Sequence, residues 1–205
     1  GAVERFTHIP GVRIVALCDY EEGKAEACQG YLRKAGLPPA DIYSGEKGYE
    51  ELCGRSDIDL VYVATDWLHH FPVAKCALQN GKHTAVEVPS VMNLEQCWEL
   101  IELSERKRLH CMILENCCYD RNEMAVFNMV RKGLLGEIIH LEGGYRHDLR
   151  DEIALGRENI HGRLFNFMMR NGELYPTHQL GPIAKLIGIK NYDFEKGHVK
   201  LNAEN

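Results

Sequence analysis

The sequence contains eight cysteines but no pair at the C-x-x-C spacing that is typical of zinc and redox sites. Several cysteines fall in apolar helix or strand patterns, where a free thiol behaves as a small hydrophobic side chain. We therefore predict reduced thiols and no metal site. No apolar run approaches the roughly 18 residues of a membrane-spanning helix, and no signal peptide opens the chain. The net charge of −6 argues against nucleic acid as a partner, which would require a basic surface.

What the sequence does contain is a series of short apolar strands, each followed by a helical segment. Strands are predicted at 12–19, 59–65, 84–89 and 110–114. Their almost continuous apolar character is typical of parallel strands that are covered on both faces. We therefore predict an α/β fold built on a doubly wound, Rossmann-type parallel sheet. The 205 residues suffice for one such domain and part of another.

The prediction of a site starts from the stretch Thr84 to Pro89. Ligands of open parallel sheets gather beyond the carboxyl ends of the strands, and Glu87 is a carboxylate at such an end. From spacing alone, an acid that caps the following turn is an equally good interpretation of Glu87. A second polar cluster, Glu115 to Tyr119, follows the strand at 110–114 and is expected at the same edge of the sheet.

Asp19 ends the first predicted strand. In dinucleotide-binding folds the second strand ends in an acid that binds the ribose 2′-hydroxyl, and this acid favours NAD over NADP because a carboxylate repels a 2′-phosphate. The strand and the G-x-G-x-x-G turn that should precede it are missing from the sequence, and Gly1 is the one candidate for a remnant of that turn. We therefore expect the chain to begin inside the fold.

Part of a second domain, of the α+β class, is predicted from about residue 119, which gives domains of 1–118 and 119–205. Residues Glu137 to Tyr145 alternate in polarity as the first strand of a different sheet, and Asp151 to Asn166 are predicted to be a long connection. Pro182 is expected in the first turn of a helix that runs through Leu186. The tail from residue 190 shows little periodicity and is left unassigned.

The ending Glu87-Val88-Pro89 resembles the Gfo/Idh/MocA dinucleotide-dependent oxidoreductases, in which the equivalent strand ends in Glu-Lys-Pro. In that family the lysine helps to handle the proton of a sugar hydroxyl, a role that Val88 cannot take. The branch of NAD-dependent α-N-acetylgalactosaminidases, glycoside hydrolase family 109, also carries Glu-Val there. Three further motifs are similar to that branch, in the right order: Leu114 to Asp120, Tyr145 to Arg150, and Arg170 to His178.

The resemblance implies a site in each domain. The positions that match cofactor contacts, with NAD as the cofactor, are Asp19, Trp67, Leu68, His69, His70, Glu87, Val88 and Asn116. The positions that match the substrate side are Tyr145, Arg163, Tyr175, Pro176, Thr177 and His178. The catalytic residues would be His178, Tyr175 and Tyr145. Without the resemblance, His69 and His70 would be an ordinary pair at a helix N-terminus, and Tyr175 and His178 would pack a loop on the sheet.

The chemistry that the resemblance implies is a redox-neutral hydrolysis of a small glycoside. It begins with oxidation at C3 of the sugar, which acidifies the C2 proton and permits elimination at C1. His178 is predicted to move the proton of the C3 hydroxyl, because imidazole changes protonation near neutral pH. A plain NAD-dependent sugar dehydrogenase and an inactive copy are the alternatives. Homo-oligomerisation stays open, as does the compartment, either the bacterial periplasm and cell envelope or the cytoplasm.

Overall fold

The computed structural model describes residues 1–159, 162–193 and 198–201, and it divides the chain into two compact units, Gly1–Ile113 and Leu114–Asn205. Strands and helices alternate in the first unit as the sequence predicts, but the unit has one strand more, at Asp41–Ser44, than the four that were predicted. In chain order its elements are α1 (Ala2–Phe6), β1 (Ala16–Asp19), α2 (Lys24–Lys34), β2 (Asp41–Ser44), α3 (Gly48–Cys53), β3 (Leu60–Val63), α4 (Trp67–Gln79), β4 (His83–Val86), α5 (Leu94–Lys107) and β5 (Cys111–Ile113).

All strands of the first unit pair in parallel, as an α/β fold requires. β1 pairs with β2, with Ala16 opposite Asp41, and β3, β4 and β5 form a second sheet in that order. In the Rossmann order 3-2-1-4-5-6, these two sheets correspond to strands 3-2 and 4-5-6. Strand 1 is the strand that carries the glycine-rich turn, and it has no counterpart in the sequence. Strand 1 would lie between these two sheets and join them, so its absence accounts for the pairing in two separate sheets.

The core of the first unit lies between helices and the parallel strands. Leu78 and Val86 are fully buried, as are Cys53 of α3 and Ala74 of α4. Burial of one leucine or valine side chain contributes roughly 1.5–3 kcal/mol. This core fixes the positions of β3 and β4, whose carboxyl ends carry the predicted site.

The capping signals in the sequence set the ends of two long helices. The Asp66 side chain accepts a hydrogen bond from the Leu68 N–H (2.9 Å) at the start of α4. The Asn93 side chain accepts one from the Gln96 N–H (2.9 Å) at the start of α5. After α4 the chain turns at Gly81, whose φ of 79° suits glycine.

The second unit consists of short helices and one strand pair. Its elements are a 3₁₀ turn (Asn116–Cys118), α6 (Arg121–Arg131), a π-helical turn (Arg150–Ala154), α7 (Gly162–Met169), α8 (Thr177–Leu186), β6 (Ile189–Asp193) and β7 (His198–Leu201). β6 and β7 are antiparallel and come from the tail that the sequence left unassigned. Residues 194–197 and 202–205 of that tail lie outside the described part of the chain.

The predicted strand from Glu137 to Tyr145 is wrong. A strand needs a neighbour to pair its backbone groups, and the described residues provide none, so the segment forms no strand. Ile139, expected on a packed face, is 92% exposed. Gly143 instead lies against α8, where a Cβ atom would be 2.9 Å from Ile183 Cδ1.

Two further predictions about the second unit are wrong. The predicted connection from Asp151 to Asn166 contains most of the π-helical turn and more than half of α7. The helical pattern was missed because the apolar side chains of α7 continue beyond residue 166. α8 begins at Thr177, directly after Pro176, so Pro182 lies inside the helix rather than in its first turn. Pro182 has no N–H to donate to the His178 carbonyl, and α8 tolerates that loss.

In the part of the chain that the structure describes, no helix is long and apolar enough to cross a membrane.

Candidate active site

Asp19 lies at the carboxyl end of β1, where the sequence places it. Its Oδ1 accepts a hydrogen bond from the backbone N–H of Glu21 (3.0 Å). This bond fixes the carboxylate beside the turn that leads to α2. The position at the end of a parallel strand suits an acceptor for a ribose hydroxyl, although the contact itself stays a prediction.

Glu87 follows the last residue of β4, and its backbone N–H donates to the Val63 carbonyl (2.9 Å). Its Oε1 accepts a hydrogen bond from the hydroxyl of Tyr62, a residue of the neighbouring strand β3. Burial raises the pKa of Tyr62, and the hydrogen bond to Glu87 raises it further, so this phenol remains a donor at neutral pH. The Phe6 ring meets the Tyr62 ring edge-on at 4.9 Å. Glu87 is thus held by a neighbouring strand, not merely placed as a cap for the following turn.

The predicted segment from Trp67 to His70 forms the first turn of α4. Trp67 is half-buried, whereas Leu68 and His69 are exposed, and the His69 Nδ1 lies 2.5 Å from Asp66 Oδ2. The His70 side chain is 1% exposed and lies between two carbonyl oxygens, that of Pro89 at 2.6 Å and that of Thr65 at 3.0 Å. Its observed role is therefore to join the chain after β3 to the chain after β4. Val88 is also buried, next to a cis peptide bond to Pro89.

In the second unit, His178 and Glu115 form a close pair. The His178 Nδ1 lies 2.6 Å from Glu115 Oε1, and the same oxygen accepts the backbone N–H of Cys117 (3.0 Å). The side chains are 14% and 7% exposed. A carboxylate only accepts, so Nδ1 carries the proton and the Nε2 of a neutral ring carries the lone pair. His178 is thereby prepared to accept a proton at Nε2.

A glycine in α8 permits this approach. A Cβ atom at Gly181 would lie 2.8 Å from Glu115 Cγ and 3.0 Å from Cys118 Sγ. The first distance is shorter than atoms tolerate and the second is tight, so any other residue at this position would force Glu115 or α8 to shift. Gly181 therefore belongs to the construction of the His178–Glu115 pair.

Two tyrosines surround the His178 ring. Tyr175 meets it edge-on at 4.6 Å, and Tyr145 lies 5.0 Å from it and 5.4 Å from Tyr175. The His147 ring stacks on Tyr145 at 5.8 Å. Two separate segments of the sequence, at 145–147 and 175–178, thus meet, and Pro176 and Thr177 lie directly between Tyr175 and His178. Two phenols and an imidazole in contact can accept and donate protons at neighbouring atoms of one small ligand.

Arg163, the remaining predicted substrate residue, also joins this cluster. Its guanidinium carbon lies 4.9 Å from the centre of the Tyr175 ring, at the distance of a cation–π contact. Its Nη1 lies 2.6 Å from Glu152 Oε2. Asn116, predicted to contact the cofactor, is exposed at the start of the 3₁₀ turn that follows Glu115.

The thiol of Cys117 lies close to the same pair. Burial raises its pKa to about 11, and the negative charge of Glu115 adds to this effect. Ligand atoms of Glu115, Cys117 and His178 lie within 4.8 Å of one another, an N, O and S set that could hold a metal ion. The hydrogen bond between His178 and Glu115 accounts for their proximity without a metal. All eight cysteines are free.

Sequence reasoning did not assign roles to Glu115, Tyr62 or Glu152. Glu115 could have been found, since it ends the apolar strand before Asn116 much as Glu87 ends β4. Tyr62 is the next-to-last residue of the apolar strand β3, and nothing in its spacing distinguishes it from a core residue. Glu152 lies in a polar segment that was taken for a connection, so its partner could not be recognised.

Two family models match successive parts of the chain. Residues 2–114 match the family model described as the oxidoreductase family with an NAD-binding Rossmann fold, GFO_IDH_MocA. Residues 119–196 match the glycosyl hydrolase 109 C-terminal domain. The chain resembles in fold an aldose-aldose oxidoreductase from Caulobacter crescentus, with a TM-score of 0.55 and 26% identity, over 65% of this chain and 39% of that one.

Two curated relatives have high sequence identity to this chain. The glycosyl hydrolase family 109 protein 5 of Phocaeicola vulgatus is 59% identical over 198 residues, which are 94% of this chain and 38% of that protein. The alpha-N-acetylgalactosaminidase of Bacteroides fragilis is 44% identical over 196 residues, which are 93% of this chain and 46% of that protein. The chain thus spans less than half the length of these relatives. It belongs to the Gfo/Idh/MocA oxidoreductase family, with a second part of the glycosyl hydrolase 109 C-terminal type.

Proposed function

We propose that the protein hydrolyses an α-N-acetylgalactosaminide through transient oxidation of the sugar at C3, with NAD as its cofactor. The observation that carries this proposal is the His178–Glu115 pair in contact with Tyr175 and Tyr145. Two matches support it, that of the first unit to an NAD-binding family and that of the second to the glycosyl hydrolase 109 C-terminal domain.

The residues of the first unit fit part of a dinucleotide. Asp19 offers a carboxylate at the end of β1 to a ribose diol, and Glu87 offers one at the end of β4. The pyrophosphate of such cofactors rests on a glycine-rich turn at a helix N-terminus, and these 205 residues contain no G-x-G-x-x-G. When bound, NAD supplies a reversible hydride acceptor for C3, so that it is unchanged after one turnover.

His178 takes the proton of the C3 hydroxyl in this proposal. Glu115 holds its Nδ1–H, which leaves the lone pair of Nε2 for the hydroxyl. The buried carboxylate also stabilises the imidazolium that forms, because opposite charges attract strongly where water is excluded. A histidine thus replaces the lysine that is absent at Val88, a buried side chain that cannot transfer a proton.

The two tyrosines act next. The ketone at C3 acidifies the proton on C2, and Tyr175 or Tyr145 removes it as the bond from C1 to the aglycone oxygen breaks. Water adds to C1 of the resulting alkene, C2 recovers a proton and the C3 ketone is reduced again. The overall reaction is glycoside plus water to free sugar plus alcohol. It does not need the pair of carboxylates that flanks the bond in ordinary glycosidases.

A chromogenic α-N-acetylgalactosaminide tests the proposal, on a version of the protein that carries a glycine-rich turn. We expect release of the aglycone, dependence on added or retained NAD, and no accumulation of NADH. Stoichiometric NADH without aglycone would identify a sugar dehydrogenase instead. If a folded protein that binds NAD yields neither aglycone nor NADH, the chain is an inactive copy.

A further inference from the structure

The segment between Tyr145 and α7, which includes the start of the predicted connection at 151–166, presents a carboxylate to Arg163. Glu152 Oε2 lies 2.6 Å from Arg163 Nη1, and the two side chains are 25% and 20% exposed. Another ion pair, Asp148–Arg150, lies only a few residues away on the same segment. Its side chains are 59% and 83% exposed. Pairs in that setting contribute little, because water and salt screen them.

Close backbone packing fixes the position of Glu152 in this segment. Gly156 is buried, and a Cβ atom there would lie 2.5 Å from the Glu152 carbonyl oxygen and 2.8 Å from Leu164 Cβ of α7. The absence of a side chain at residue 156 therefore lets the π-helical turn pack directly on α7. The Asn159 amide closes the segment by donating to the Asp151 carbonyl (2.7 Å). Glu152 and Arg163 thus face each other from two elements in close backbone contact.

A second neighbour of the guanidinium is Tyr175, whose ring centre lies 4.9 Å from Arg163 Cζ. An arginine side chain has many rotamers, and restricting it to one of them costs conformational entropy. The ion pair with Glu152 and the aromatic face of Tyr175 restrict the rotamers of Arg163 before any ligand binds. The arginine is therefore preorganised for binding.

We propose that Glu152 is a positioning residue, which holds the Arg163 guanidinium against Tyr175 so that the sugar meets an arginine already in place. This inference rests on the proposed function, since it assigns Arg163 to sugar binding. Glu152 acts through Arg163 and has no contact with the reacting atoms. Loss of its charge should therefore weaken binding of the sugar more than it slows the chemical step.

Kinetics of five variants test the proposal. Glu152→Gln should raise KM for an aryl α-N-acetylgalactosaminide by roughly tenfold or more and leave kcat within about threefold. Glu152→Asp, which keeps the charge, should recover part of the affinity. The matched control Asp148→Asn removes the exposed partner on the same segment and should leave both constants unchanged. In an Arg163→Gln background, Glu152→Gln should add nothing, because its partner is already gone.

A spectroscopic readout separates failure of this inference from failure of the proposed function. The ¹⁵Nε resonance of Arg163, assigned by its loss in Arg163→Lys, should shift in Glu152→Gln and stay in place in Asp148→Asn. It can be recorded even if the protein hydrolyses no glycoside. An unshifted resonance, or equal losses of kcat in Glu152→Gln with and without Arg163, would overturn the positioning role.

Discussion

Glu115 and His178 are 63 residues apart in the sequence, and a hydrogen bond of 2.6 Å joins their side chains. Glu115 is 5% exposed, and its carboxylate accepts a second hydrogen bond from the backbone N–H of Cys117. A buried carboxylate that holds one imidazole nitrogen fixes which nitrogen is left to accept a proton. This pair is therefore the part of the site most directly suited to proton transfer.

Replacement of Glu115 by Gln should disable His178 without removing it. Because an amide can present its NH₂ group to Nδ1, the ring can adopt the wrong tautomer, and we expect turnover to fall by roughly 10²–10⁴-fold. His178→Ala should cause a similar loss, and the double variant should lose little more, since the residues act as a unit. Steady-state kinetics check this expectation, with circular dichroism as the control for folding. Independent, multiplicative losses would contradict a coupled pair.

Tyr62→Phe should weaken NAD binding, although Tyr62 itself was not predicted to touch the cofactor. The variant removes the donor that holds Glu87 Oε1, and the loss of one such bond costs about 1 kcal/mol, or roughly fivefold in Kd. Titration calorimetry on a version of the protein that carries a glycine-rich turn measures the effect. Tyr43→Phe is the matched control, because it removes a hydroxyl that accepts from Arg55 elsewhere in the same unit. Equal Kd values for both variants and the unmutated protein would show that Tyr62 does not contribute to NAD binding.

Asp19 should determine the preference for NAD over NADP. The carboxylate can accept from a ribose diol but repels a 2′-phosphate, so Asp19→Asn should reduce the NAD/NADP preference by at least about tenfold. Asn retains an oxygen for the Glu21 N–H, so the turn after β1 should persist. The ratio of the two Kd values is the measurement. Tighter binding of NADP by the unmutated protein would show that the assignment is mistaken.

Cys117 should react slowly with iodoacetamide at neutral pH. Burial and the charge of Glu115 raise its pKa to about 11, from 9.0. The folded state therefore favours the thiol, a contribution that is complete below pH 9 and is lost as the pH rises to about 11. Mass spectrometry that resolves each site should show a rate that still climbs between pH 9 and pH 11. Glu115→Gln should move this rise to lower pH, whereas a plateau already reached below pH 9 would contradict the burial seen here.

How much of this could be predicted from the sequence depends on the range of the interactions. Asp66 and Asn93 cap helices as their local spacing indicates, and Asp19 and Glu87 end parallel strands because apolar runs stop at them. Tyr145, Tyr175 and His178 were brought together by a family resemblance, and the structure shows the contact. Glu115–His178 and Glu152–Arg163 depend on the approach of separate elements, which Gly181 and Gly156 permit. The strand predicted at 137–145 failed for the same reason, since pairing needs a partner that local alternation does not reveal.

The most direct test of the central claim is the fate of the hydrogen on C2 of the sugar. We expect hydrolysis of an α-N-acetylgalactosaminide in D₂O to yield free sugar with deuterium at C2, because the mechanism removes that proton and returns another. Mass spectrometry and proton NMR of the product measure it, on a version of the protein that carries a glycine-rich turn. Deuterium at C2 together with aglycone release and no net NADH is the predicted result. Released sugar that keeps its original C2 hydrogen would contradict transient oxidation at C3.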